Sequence, residues 1–179
     1  YIFLQSVVKI QQNNMFNILK YKEIEEKINN FNRKSKIIAI SKNHSQDKVD
    51  EAISFGIKIF GENRVQEAKK KFEKILENDR SIELHLTGPL QTNKVKYALD
   101  IFHVFHTLDR EKLLKELSKF PEKIKDKKFF IQVNSGKEDS KSGIYPEKVK
   151  EFLNTCHSYG VKNIMGLMCI PPINESPET

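Results

Sequence analysis

The sequence contains few cysteines and no long apolar run, and both shortages narrow the class of protein. Its two cysteines, Cys156 and Cys169, form neither a CxxC motif nor a metal-ligand spacing. We therefore expect reduced thiols and a cytoplasmic protein. No apolar stretch approaches the roughly twenty residues that a membrane-spanning helix requires. With 38% hydrophobic and 31% charged residues among 179, the composition is typical of one globular domain with a single core.

The chain also lacks a concentrated basic block, although its formal net charge is +7. Lysines are mixed with acidic residues, as in EAKKKFEKILENDR at 67–80. Such mixing is typical of solvated helix faces rather than of a nucleic-acid surface. We therefore expect no nucleic-acid partner. Salt-dependent binding to DNA or RNA stays open as an alternative function at this point.

Segments typical of strands and of helices alternate along the chain. Short apolar runs are each followed by a segment with helical periodicity, and the connections between them are brief. This alternation predicts a parallel sheet with helices packed outside it. The predicted strands are 37–41, 57–61, 82–88, 101–108, 128–134 and 163–168, and the predicted helices are 46–56, 63–76, 91–99, 109–120 and 146–159.

The turn after the first predicted strand, SKNHS at 41–45, contains no glycine. A doubly wound nucleotide-binding sheet usually has a glycine-rich turn there, so we favour a (β/α)8 TIM-type barrel. About six of the eight strand and helix units are visible, which predicts an α/β barrel truncated after about six strands. Residues 1–14 lack signal-peptide features. We expect them to be a non-native or disordered leader, Met15 to be the true start, and 15–179 to form a partial barrel domain.

A lysine, Lys42, ends the apolar run IIAIS. In a barrel, the residues that follow the strands meet at one mouth, which is where active sites lie. The predicted mouth has no Walker loop, no metal-type cluster and no carboxylate pair placed for glycoside hydrolysis. A lysine amine in a partly apolar site can form a Schiff base with an aldehyde or ketone. Asn63, His85, Gln91 and Asn93 are candidates to orient such an adduct.

An ordered set of motifs carries a family resemblance. The motifs are AISKNHS at 39–45, FGENRVQEA at 60–68, LHLTGPLQTNK at 84–94, FHTLDR at 105–110, IQVN at 131–134, SKSG at 140–143 and GLMCIPP at 166–172. Together they resemble the pyridoxal phosphate homeostasis protein family, also called the YggS or PROSC family. Each motif alone is weak evidence, whereas the ordered set is specific.

The resemblance implies a barrel like the N-terminal domain of alanine racemase. It implies pyridoxal 5'-phosphate (PLP) held as a Schiff base on Lys42, with Asn63, His85 and Met168 lining the cofactor site. Lys94 and Lys141 match recurrent family lysines, which would serve cofactor transfer or stand at the rim. The implied protein is an intracellular PLP carrier or buffer with little or no catalysis, a monomer whose partners are PLP and PLP-dependent apo-enzymes. Family members continue through two more strands that grip the phosphate, and the sequence shows no counterpart of them.

Other readings stay open beside this one. A PLP-dependent racemase is the alternative function, although racemisation requires a second acid or base on the opposite face of the cofactor. A histidine in the middle of a strand, such as His85, is more commonly a core residue, and Met168 suits core packing about as well as a cofactor contact.

Overall fold

A single parallel sheet organises the chain. The computed structural model describes residues 16–30 and 35–171. The sheet has six strands in the order β1-β2-β3-β4-β5-β6, and every pairing is parallel. The strands are β1 (Ala39–Ile40), β2 (Ile59–Glu62), β3 (Glu83–Leu86), β4 (Val104–Leu108), β5 (Lys128–Val133) and β6 (Ile164–Cys169).

Helices connect the successive strands, and one further helix precedes β1. They are α1 (Ile18–Asn30), α2 (Gln46–Ser54), α3 (Val65–Asn78), α4 (Val95–Ile101), α5 (Glu111–Leu117), α6 (Pro121–Ile124) and α7 (Val149–Ser158), and short 3₁₀ turns at Thr92–Lys94 and Pro146–Lys148 precede α4 and α7. Within the described ranges, no helix has the length and apolar character needed to cross a membrane.

The strand order confirms the predicted α/β sheet of the barrel type. Each strand pairs with the next one in sequence, whereas a doubly wound sheet reverses direction partway along its strand order. The predicted leader at 1–14 and the predicted start at Met15 lie outside the described residues.

Several element bounds differ from those predicted. β1 is shorter than 37–41, since an edge strand has a ladder on one side only. The predicted strand 101–108 loses its first residues, because Ile101 ends α4 and β4 begins at Val104. The helix predicted at 109–120 is shorter in the structure, where α5 ends at Leu117. A separate short helix, α6, begins at Pro121, where a missing N–H is tolerated.

The two faces of the sheet are packed differently. On the outer face, side chains such as Leu84, Phe105 and Phe129 join the main core beneath the helices, and each is almost fully buried. On the inner face, Val104, Phe130 and Met168 form a separate small cluster. The inner face therefore has an apolar centre of its own beside polar side chains.

β5 and β6 offer a matched test of how much the helical layer stabilises the outer face. Ile131 and Leu167 are register partners, yet Ile131 is 1% exposed and Leu167 is 52% exposed. We expect Ile131→Ala to lower the free energy of unfolding by about 2–5 kcal/mol, since it opens a cavity in the core. Leu167→Ala should stay within about 1 kcal/mol of wild type. Urea unfolding measures both, and equal losses would contradict this packing.

Candidate functional site

Lys42 lies in a turn at the carboxyl end of β1. The residue before it, Ser41, is buried and its N–H donates to the carbonyl of Gly61 at 2.9 Å, which continues the ladder with β2. The residue after it, Asn43, has φ +62°, a left-handed conformation that asparagine adopts more readily than most residues. Lys42 itself is half-buried. Its amine has no hydrogen bond or ion pair to any described residue.

A second lysine lies beneath this turn. The Lys71 side chain, on α3, is only 8% exposed. Its Nζ donates to the carbonyl oxygen of Ser41 at 2.6 Å and contacts the carboxylates of Glu62 at 2.7 Å and Glu67 at 2.8 Å. An ammonium has three N–H groups, so these three acceptors satisfy it.

The two carboxylates also contact the Lys42 turn directly. Glu62 is fully buried, and its Oε1 accepts a hydrogen bond from the Ser41 hydroxyl at 2.7 Å. Glu67 Oε1 accepts from the backbone N–H of Asn43 at 2.7 Å. The hydrogen bond from Lys71 is the largest influence on the Glu67 pKa and lowers it, so this carboxylate is ionised at neutral pH.

Asn63 is held at the end of the neighbouring strand. Its Oδ1 accepts from the Thr87 hydroxyl at 2.9 Å. Gly88 packs against its backbone so closely that an added Cβ would lie 2.4 Å from the Asn63 carbonyl oxygen. A side chain at position 88 would therefore displace Asn63, which explains why a glycine stands there.

Met168 and His85 both belong to the inner face of the sheet. Met168 is 5% exposed and packs in the cluster with Val104 and Phe130. His85 stacks on His106, with ring centroids 5.1 Å apart, and His106 stacks on Phe130 at 4.7 Å. His85 and Met168 therefore belong to adjoining groups of inner-face side chains.

Both ring nitrogens of His85 already have partners. Nε2 lies 2.9 Å from Glu83 Oε1, and Nδ1 lies 2.8 Å from Nε2 of His106. The assignment that satisfies both contacts has His85 donating to the carboxylate and accepting from His106. Lys128 also donates to Glu83, at 2.9 Å. One cavity is lined by His85, Glu83, His106 and Lys128 together with Lys36. This cavity lies at the amino ends of the strands and therefore opposite Lys42.

Burial sets the charge of this inner-face group. It lowers the pKa of His106 to about 3, with the neighbouring His85 adding to the shift, and it lowers the pKa of His85 as well. Burial raises the pKa of Glu83, but hydrogen bonds from Lys128 and His85 outweigh it and hold that pKa at about 2. At neutral pH the two imidazoles are therefore neutral and the carboxylate is charged.

The other candidate residues lie in the loops that follow the strands. Lys94 ends a 3₁₀ turn and is half-buried, whereas Gln91 and Asn93 are exposed. Lys141 pairs with Glu138 at 2.6 Å. Asn134 holds that loop, because its amide group donates to the carbonyls of Glu138 and Lys141.

The structure therefore brings Lys42 and Asn63 to adjacent strand ends and separates both from the cavity beside His85. The prediction that the lysines at 67–80 are solvated is wrong for Lys71, which is buried. One signal could have identified it: Ala68, Lys71, Phe72 and Ile75 share one helical stripe, and a lysine in an apolar stripe needs buried acceptors.

Comparisons with known proteins place these features in a family. The family described as "Alanine racemase, N-terminal domain" matches residues 20–179. The chain is similar to the pyridoxal phosphate homeostasis proteins of Aquifex aeolicus (39% identical, 80% of this chain, 63% of that protein) and Pasteurella multocida (33%, 93% and 69%). It thus spans less than two thirds of the Aquifex protein.

Solved structures agree with these sequence matches. PipY of Synechococcus elongatus, solved with PLP bound, is 29% identical with a TM-score of 0.66, and the match covers 86% of this chain and 73% of PipY. Alanine racemase of Clostridium difficile 630, at 12% identity and a TM-score of 0.62, covers 90% of this chain and 43% of the racemase, and supports the fold alone.

The neutral imidazole of His106 gives stability a pH dependence. Its pKa is about 3 in the folded chain and near 6.5 in an unfolded one, so between these values the unfolded state binds the extra proton. We expect the unfolding free energy to fall as the pH drops from about 6.5, by up to about 1.4 kcal/mol per pH unit. His106→Gln, whose amide can still donate to His85, should flatten this slope in denaturant titrations at pH 7 and pH 4.5.

A matched control is His157→Gln, at an exposed histidine on α7, which should retain the wild-type slope. An unchanged slope in His106→Gln would show that His106 does not carry this proton linkage.

Proposed function

This chain belongs to the alanine racemase N-terminal domain family, and we propose on that basis that it binds PLP and takes part in PLP homeostasis. One observation carries the proposal: Lys42, half-buried and unpaired among the described residues, lies in a turn at the carboxyl end of a strand in a barrel-type sheet. The relatives named for PLP homeostasis and the PLP-bound PipY structure support it.

The residues near the strand ends suit the aldehyde and the ring of this cofactor. Lys42 would hold the cofactor, which would supply an aldehyde able to form a Schiff base with the lysine amine, with loss of water. Asn63, with its amide fixed by Thr87, would bind a polar substituent, and Met168 would offer an apolar contact. His85 lines the cavity at the amino ends of the strands and both of its nitrogens are already bonded, so its contribution to the cofactor site would come from packing on the inner face of the sheet.

We further propose a carrier or buffer rather than a catalyst, working as a monomer in the cytoplasm and passing PLP to apo-enzymes. The relatives' names describe homeostasis and not turnover, which supports this choice over a racemase. Lys94 and Lys141 would lie along the path by which the cofactor leaves, since both stand in loops that follow strands.

Titration with PLP, borohydride reduction and peptide mapping test the Lys42 assignment. We expect one reduced adduct on Lys42 in the wild-type chain and its loss in Lys42→Ala, because only a lysine at this strand end would have the cofactor site around it. Lys48→Ala is the matched control, since Lys48 is also half-buried and unpaired among the described residues. It should label as wild type does.

Diffuse labelling of many lysines, unchanged in Lys42→Ala, would contradict the proposed function. An amino-acid racemisation assay on the same PLP-loaded samples distinguishes a PLP carrier from a PLP-dependent racemase. Turnover that depends on Lys42 would favour the racemase.

A further inference from the structure

We propose that Glu67 and Lys71 are positioning residues for Lys42, acting through the backbone on both sides of it. The inference rests on the proposed function, because it assigns to these residues the task of presenting the amine that reacts with PLP. Neither residue needs to contact the cofactor.

The first support lies on the amino side of Lys42. The backbone carbonyl of Ser41 accepts a hydrogen bond from Lys71 Nζ at 2.6 Å. The side-chain hydroxyl of Ser41 donates to the Glu62 carboxylate at 2.7 Å. Both partners are buried, so water competes poorly for these hydrogen bonds. The peptide that enters Lys42 is therefore fixed by α3 and β2.

The second support lies on the carboxyl side. The N–H of Asn43 donates to Glu67 Oε1 at 2.7 Å, and Lys71 holds the same oxygen at 2.8 Å. A hydrogen bond to a charged acceptor is stronger than one between neutral groups. It also offsets the cost of the left-handed backbone at Asn43, whose φ is +62°.

Lys71 joins the two supports into one unit. Its ammonium contacts the Ser41 carbonyl and the Glu67 carboxylate at once, so neither side of the turn can shift without disturbing the other. The pair between Lys69 and Glu73 on the same helix differs, because both side chains are about half exposed and lie 3.3 Å apart. Exposed pairs of that kind contribute little.

Positioning matters for an addition reaction, since the amine must approach the aldehyde carbon from one direction. Displacement of a reacting group by about 1 Å can reduce a rate by about a hundredfold. A turn fixed at both of its peptides limits the positions open to the Lys42 amine. A turn fixed at only one peptide would leave that amine in several orientations.

Glu67→Ala tests the inference with little risk of unfolding, because the Glu67 side chain is 25% exposed. Removing Lys71 would instead leave the fully buried Glu62 without its counter-ion. Glu67→Gln keeps an acceptor for the Asn43 N–H. Glu73→Ala is the matched control, since it removes a glutamate that also pairs with a lysine four residues away on α3.

Three measurements are made on each full-length variant. The first is PLP affinity, together with the fraction of the borohydride-reduced label that is on Lys42. The second is the rate at which acetic anhydride labels Lys42 in the cofactor-free chain, and the third is the rate of hydrogen exchange at the Asn43 amide. In Glu67→Ala we expect about tenfold weaker PLP binding and about tenfold faster exchange, as suits a lost hydrogen bond to a charged group. We also expect a changed rate of Lys42 acetylation. Glu67→Gln should recover most of each effect, and Glu73→Ala should match wild type.

The outcomes separate the two proposals. Wild-type labelling at Lys42 together with unchanged affinity, acetylation and exchange in Glu67→Ala overturns the positioning role alone. Equal losses in Glu67→Ala and Glu73→Ala also overturn it, because they indicate a general effect of helix α3. Absence of Lys42 labelling in the wild-type chain overturns the proposed function and this inference with it.

Discussion

The structure around the candidate site depends on the ion pairs and hydrogen bonds that compensate one buried ammonium group, that of Lys71. Lys71 lies on the face of α3 that packs against the sheet, where an uncompensated charge would be strongly unfavourable. It is compensated by two carboxylates and one carbonyl, and these acceptors come from β2, from α3 itself and from the turn after β1. Satisfying this single group fixes three elements relative to one another.

The general architecture could be predicted from the sequence because it follows from a repeating pattern. Apolar runs alternate with helical periodicity, and the glycine-free turn at 41–45 argues against a doubly wound sheet. The ends of the helices and strands were harder to predict from the sequence. Whether Ile101 continues a helix or starts a strand is decided by packing of the finished core, not by the local sequence.

The candidate site was predicted in part. Lys42 and Asn63 were predicted from the strand ends and the motif resemblance, and they follow the adjacent strands β1 and β2. Lys71 was missed because a lysine among lysines in EAKKKFEKI is usually solvated. The partners of His85 were also hidden, since they depend on the register that sets β3 beside β4 and brings His106 to the same face. Contacts of this kind become visible only when strands are paired.

The supports of Lys42 also come from distant parts of the sequence. Ser41 and Lys71 are 30 residues apart, and Ser41 and Glu62 are 21 apart. A chain emerging from the ribosome therefore contains Lys42 well before it contains either support. Before α3 packs on the sheet, the contacts of Lys71 and Glu67 with the Lys42 turn are absent. The fixed geometry of the Lys42 turn is thus acquired together with the tertiary structure and lost with it.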